Sequence, residues 1–204
     1  MKHTIIFGLI LTIISQQIVA TNQTGQEKSI ICAGCHGPTG VSINPEWPNL
    51  AGQHARYLIK QLQDYKQAKT RNVPLMTAMV AQLSDDDIEA LSDFYASQPI
   101  PKGKTPKQYA ARGEALYRRG DLNKHITACI ACHGPRGTGS AEAGFPVLSG
   151  QQAAYTVSQL QAFQEKKRSN DLNSIMRNIS SHMNLDDMKA VAYYLAGLDA
   201  KSSL

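Results

Sequence analysis

Cysteine is scarce in this sequence, with four residues in 204. That number excludes a disulfide-dense scaffold and leaves metal, redox, cofactor or isolated disulfide roles to be weighed. Aromatic side chains are also few, 13 with a single Trp, so a small domain has little large apolar surface of its own with which to build a core. No apolar run after residue 20 approaches the roughly 20 residues that a membrane-spanning helix needs. Neither sign of charge dominates, with 21 Lys and Arg against 16 Asp and Glu. Lys166-Lys167-Arg168 is one short basic cluster without a recognised binding motif, which argues against a nucleic-acid partner. What is present, 42% apolar and 18% charged residues, is the balance of a globular chain rather than a disordered one. The length fits one or two domains.

The chain opens on the basic Met1-Lys2-His3, continues through a mostly apolar run from Ile5 to Ile14, and reaches a polar stretch ending at Ala20. This pattern reads as a secretory signal peptide over 1–20, cleaved near Ala20. The apolar run is about half the length of a membrane span. The mature product is therefore expected outside the cytoplasm, soluble or at most peripherally tethered.

The sequence is written twice. Cys32-Ala33-Gly34-Cys35-His36-Gly37-Pro38 recurs as Cys129-Ile130-Ala131-Cys132-His133-Gly134-Pro135, at an offset of 97 residues. Pro48-Asn49-Leu50-Ala51-Gly52-Gln53 answers to Pro146-Val147-Leu148-Ser149-Gly150-Gln151 at an offset of 98, as do Tyr57 to Tyr155 and Gln61-Leu62-Gln63 to Gln159-Leu160-Gln161. Asp86, Asp87 and Ala90 match Asp186, Asp187 and Ala190 at an offset of 100. The small register changes fall between matched blocks, as insertions in loops do. Three prolines and a glycine between Ser97 and Pro106 mark a linker. The repeat predicts two duplicated domains, 21–98 and 107–204, joined by 99–106.

Each half reads as helical. Leu58, Leu62 and Tyr65 lie at helical spacing within Gln53 to Ala68, as do Tyr155, Leu160 and Phe163 within Gln151 to Lys167. Ser84 and Asn184 stand as N-caps, followed by acidic residues where the helix dipole favours them. The apolar stripes Ile88, Leu91, Tyr95 and Met188, Val191, Leu195 follow. Pro106 opens a helix through Arg119 that has no full-length partner in the first half. Sustained strand alternation is absent, so the predicted fold class is all-α: two tandem small helical bundles.

All four cysteines belong to Cys-x-x-Cys-His, the signature of covalent haem c attachment. Two thiols three positions apart reach the two vinyl groups of one haem, and the following His offers its imidazole to the iron. Three other readings compete. A thioredoxin-like redox pair belongs to a βαβ context, which is missing here. A four-thiolate zinc ion would have to join pairs 97 residues apart, each with its own His. Two structural disulfides would each close a short, strained loop. The motif thus predicts two haem c groups held by Cys32, Cys35, Cys129 and Cys132, with His36 and His133 on iron.

A methionine opposite each histidine would complete an electron-transfer site. The methionines are Met1, Met76, Met79, Met176, Met183 and Met188. At the offset of 100 that the acidic helix starts set, only Met76 meets another methionine, Met176. These two are the candidate second axial ligands. Pairing Met79 with Met176 is the alternative and requires a register jump of three. Met183 and Met188 suit core packing. His54, His125 and His182 lack histidine counterparts in the repeat, and each reads as an ordinary surface or capping residue.

Taken together, the two Cys-x-x-Cys-His motifs, the repeated Pro-x-Leu-Ala/Ser-Gly-Gln with its Tyr-containing Gln-Leu-Gln helix, Met76-Thr77-Ala78-Met79 ahead of Leu83-Ser84-Asp85, and Ile175-Met176-Arg177-Asn178 resemble the di-haem cytochromes c of the cytochrome c4 class. The likeness spans essentially the whole mature chain. It implies two class I cytochrome c domains, a periplasmic location, and haems ligated by His36 with Met76 and by His133 with Met176. It also implies an electron carrier rather than an enzyme. Implied partners are redox proteins such as a membrane-bound cytochrome oxidase and a quinol–cytochrome c reductase or dehydrogenase. Departures from the pattern are a short segment before the first motif and Asn184 in place of a Ser cap. The competing function classes are a di-haem enzyme of peroxidase or thiosulfate-oxidising type and an electron-transfer subunit of a dehydrogenase complex. Residues 21–98 carry 6 basic and 8 acidic residues and 107–204 carry 12 and 8, an asymmetry that either orients the molecule on its partners or is plain surface variation.

Overall fold

The computed structural model describes residues 24–201; the expected signal peptide lies outside the described residues. Among them, regular structure is helical, with only isolated β-bridges. The first half contains α1 (Gly25–Lys28), α2 (Ile30–His36), α3 (Ala55–Gln67), α4 (Pro74–Val80) and α5 (Asp85–Ala96). The second repeats the order as α6 (Lys107–Arg119), α7 (Ile130–His133), α8 (Ala153–Gln164), α9 (Ile175–Ser181) and α10 (Leu185–Gly197).

In each half the first helix crosses the last at a glycine. A Cβ on Gly25 would sit 2.0 Å from the Ala90 carbonyl oxygen, and one on Gly113 would sit 2.3 Å from that of Ala190. The crossings therefore need glycine against alanine, which lets the backbones approach. α5 and α10 start on reciprocal caps: Asp87 N–H donates to Ser84 Oγ at 3.1 Å while Asp87 accepts from the Ser84 N–H at 2.9 Å, and Asn184 and Asp187 repeat the exchange. The buried stripes Ile88, Leu91, Tyr95 and Met188, Val191, Leu195 face the cores.

The periodic helices are shorter than their apolar spacing predicts. α3 begins at Ala55 because His54 is extended, and α8 stops at Gln164 because Lys166 turns into the left-handed region at φ 59°. The seven-residue helices α4 and α9 are too short for periodicity to announce, although Pro74 occupies the helix-opening position that suits its fixed φ.

The linker is docked rather than loose. Gly52 and Gly150 turn at φ 69° and 70°. A Cβ on Gly52 would lie 2.3 Å from the Ile100 side chain, and one on Gly150 would lie 1.9 Å from the Pro101 carbonyl oxygen. Gly103 N–H donates to Ala196 at 3.0 Å. The connection thus lies against both halves, which also meet directly through Tyr155 N–H to Pro45 and Ser169 N–H to Thr70.

Candidate functional site

Each Cys-x-x-Cys-His segment forms a short helix that ends at its histidine. Gly37 and Gly134, both at φ 75°, turn the chain away there; a Cβ at Gly37 would strike the Val41 carbonyl oxygen at 2.2 Å. A helical turn places thiols three positions apart on one side. All four cysteines are free and half-buried. Burial pushes the Cys32 thiol up, against the opposing influence of the Tyr95 hydroxyl, and pushes Cys129 up to about 11. Among the described residues no three His, Cys, Asp or Glu side chains gather into a metal-holding group, so the two cysteine pairs do not converge on one zinc ion.

His36 and His133 are buried, and each places Nδ1 3.0 Å from a carbonyl oxygen, that of Pro48 and that of Pro146. A carbonyl can only accept, so Nδ1 carries the proton and Nε2 keeps its lone pair. Burial lowers both imidazole pKa values, the carbonyl bonds opposing it, which holds the rings neutral. A neutral ring oriented through Nδ1 is a prepared metal ligand.

The methionines divide by burial. Met183 and Met188 are 4% and 1% exposed in the second core, as packing residues should be. Met176 on α9 is half-buried and packs, with Cys129, against the cluster of Leu116, Tyr117 and Leu160. Met76 on α4 is half-buried, whereas Met79, one turn later, is 40% exposed. The structure therefore brings Met176 and Cys129 to one apolar wall. In the first half Cys32 packs on Leu58, Leu91 and Tyr95, with Met76 on the neighbouring helix.

The donor set fits two haem groups. Each half offers two free thiols one helical turn apart, a buried imidazole with its Nε2 free, a half-buried thioether and an apolar wall. Arg136, three positions past His133, adds a buried Nε without an acceptor, suited to a carboxylate.

His54 occupies the N-cap position of α3 as expected, but without a side-chain cap bond; its Nε2 bonds instead to the Thr138 carbonyl of the other half at 2.9 Å. His125 and His182 are exposed, with ring centres 5.9 Å apart. Sequence reasoning passed over four interface residues, the buried Gln53, Arg71 and Arg168 and the half-buried Gln151. Gln53 exchanges two hydrogen bonds with Val147, and Gln151 exchanges two with Asn49. Arg71 and Arg168 sit between the halves, with the paired Tyr and Gln residues of α3 and α8 around them. Their signal was the repeat itself, since every one of these residues recurs at an offset of 97 or 98 except the variable Asn49 and Val147.

The cytochrome c family model matches residues 24–98 and 110–199. Cytochrome c4 of Pseudomonas aeruginosa is 42% identical over 175 residues, 85% of this chain and 87% of that protein. A thiosulfate dehydrogenase electron acceptor of Stutzerimonas stutzeri is 35% identical, over 92% of this chain and 88% of its own. The crystal structure of reduced recombinant cytochrome c4 from Pseudomonas stutzeri superposes with a TM-score of 0.83 at 42% identity, covering 86% of this chain and 97% of that one. An all-α duplication with two such donor sets and these likenesses leads to one assignment: the chain belongs to the cytochrome c family, in its di-haem cytochrome c4 branch, and carries two covalently bound haem c groups.

Proposed function

We propose that this electron carrier works in the periplasm with one haem in each half, the domains being 21–98 and 107–204, joined by 99–106 after removal of 1–20. Cys32 and Cys35 hold one group and Cys129 and Cys132 the other. His36 with Met76 would hold the iron of the first group, and His133 with Met176 that of the second. The observation that carries this reading is the pair of buried, neutral imidazoles whose Nδ1 protons are engaged by Pro48 and Pro146, leaving Nε2 for a metal. Bound there, each haem supplies an iron that gains or loses one electron.

The residues set what that iron can do. With a His and a Met both on iron, no site would be left for oxygen, peroxide or another substrate, in keeping with a carrier rather than an enzyme. A methionine ligand gives a higher potential than a second histidine, which suits transfer late in a respiratory chain. The apolar side chains packed around Cys32 and Cys129 would shield a haem bound there from water. No helix among the described residues is long and apolar enough to cross a membrane. The partners are redox proteins: a membrane-bound cytochrome oxidase as acceptor, and a quinol–cytochrome c reductase or dehydrogenase as donor. The relative named as a thiosulfate dehydrogenase electron acceptor favours a dehydrogenase donor.

Optical spectra of the purified protein test the ligation. The oxidised form should show the weak red sulfur-to-iron band for both centres, and the reduced form should bind no carbon monoxide. Carbon monoxide binding by either centre contradicts the carrier assignment.

A further inference from the structure

In both halves the carbonyl that orients the ligand histidine belongs to a peptide group whose N–H is bonded by the opposite half. His36 Nδ1 donates to the Pro48 carbonyl oxygen at 3.0 Å, and the N–H of that same peptide, on Asn49, donates to Gln151 Oε1 at 2.8 Å. His133 Nδ1 donates to the Pro146 carbonyl oxygen at 3.0 Å, and the N–H of that peptide, on Val147, donates to Gln53 Oε1 at 2.9 Å. Each glutamine is fixed by a second bond, Gln151 Nε2 to the Asn49 carbonyl and Gln53 Nε2 to the Val147 carbonyl, at 2.9 and 3.0 Å. Asn49, Gln53, Val147 and both histidines are at least nine-tenths buried. The arrangement is built twice, by residues that the duplication keeps in register.

A peptide group conducts polarisation between its two ends. An acceptor on its N–H makes its C=O a stronger acceptor, and in a low-dielectric interior each bond of such a chain strengthens the next by roughly 10–30%. A stronger acceptor draws the Nδ1 proton outward and makes the imidazole a better donor to a metal at Nε2. An electron-richer ligand stabilises the oxidised iron.

We infer that Gln151 and Gln53 are positioning residues for the axial histidine of the opposite half, each tuning the other domain's centre through one shared peptide. The inference rests on the ligation proposed above for His36 and His133. It makes the domain interface part of each redox site: Gln151 acts on the first half's centre and Gln53 on the second's.

Two reciprocal variants of the full-length holoprotein test this. Gln151→Leu removes the acceptor from the Asn49 N–H; the first half's potential should rise, so that at a fixed poise its oxidised-to-reduced ratio falls by about two- to tenfold, from the polarisation one bond supplies. The second half's potential should stay put. Gln53→Leu should give the mirror result. The centres are assigned to their halves with a Met76→His variant, which moves the first alone. Hydrogen exchange at each histidine Nδ1, followed by NMR, gives a second readout that survives a loosened interface: Gln151→Leu should speed exchange at His36 and leave His133 unchanged. Equal movement of both centres, movement of the same half's centre, or no movement overturns the inference. If instead the unmodified protein lacks two methionine-ligated centres, it is the ligation that has failed.

Discussion

Arg71 and Arg168 face each other across the domain interface, joined by an antiparallel backbone bridge and each reaching the other half's tyrosine. Arg71 donates to Tyr155 at 2.7 Å and Arg168 to Tyr57 at 2.8 Å, and both donate to Gln61 and Gln159. Arg71 and Arg168 are 3% and 6% exposed, and their guanidiniums lie over Tyr65 and Phe163. The acceptors on these bonds are neutral oxygens rather than carboxylates. Burial alone would raise the Tyr57 phenol pKa, yet Arg168 and Arg71 hold it below its ordinary value.

Because the two arginines share Gln61 and Gln159, their contributions are coupled. Arg168→Met should destabilise the fold by about 2–4 kcal/mol by leaving buried oxygens unpaired. The Arg71→Met, Arg168→Met cycle should depart from additivity by at least about 0.5 kcal/mol. Chemical denaturation followed by circular dichroism measures both; strict additivity would show that the two act separately.

The methionine assignment separates three variants. Met76→Ala and Met176→Ala should each remove half of the sulfur-to-iron band and lower one potential. Met79→Ala, at an exposed position, should leave the band intact. Loss of the band on changing Met79 would move the ligand by one turn.

Asp87 is bonded by Lys28, which ties α1 to α5, and by the Ser84 cap, and together these hold its carboxyl at about 2. A carboxylate with a depressed folded pKa adds stability above its unfolded value of about 3.9 and loses it as pH falls through the folded value. Denaturation midpoints should therefore fall more steeply between about pH 4 and pH 2 in the parent than in Asp87→Asn. Parallel pH profiles for the two proteins would remove this role.

Gly150 occupies a left-handed turn beneath the Pro101 carbonyl. Gly150→Ala meets both backbone strain and a collision, so it should lower the thermal midpoint by several degrees, from a cost of about 1–3 kcal/mol. Gly144, with φ 74° and open space around its Cβ position, is the control that carries strain alone. Equal losses at the two positions would show that the linker contact adds nothing.

The haem chemistry was legible because Cys-x-x-Cys-His is a local pattern written twice; the register of the duplication offers Met76 and Met176 as the ligands that the variants above test. The caps Ser84 and Asn184 were legible for the same reason, since a cap bonds within three residues. Gln53, Gln151, Arg71 and Arg168 were visible as repeated letters, but their partners lie about a hundred positions away, a distance that helical periodicity does not encode. Gly25 and Gly113 escaped notice because nothing in a lone glycine announces which carbonyl will press against it. The short α4 and α9 offered too few residues for a period to emerge.

Low-temperature electron spin resonance of the fully oxidised protein tests the central assignment most directly. Two low-spin ferric centres per chain, with no high-spin signal, are what His36 with Met76 and His133 with Met176 predict. A high-spin centre in either half would mean an open axial position, and the protein would then be able to bind a substrate at iron rather than only carry electrons.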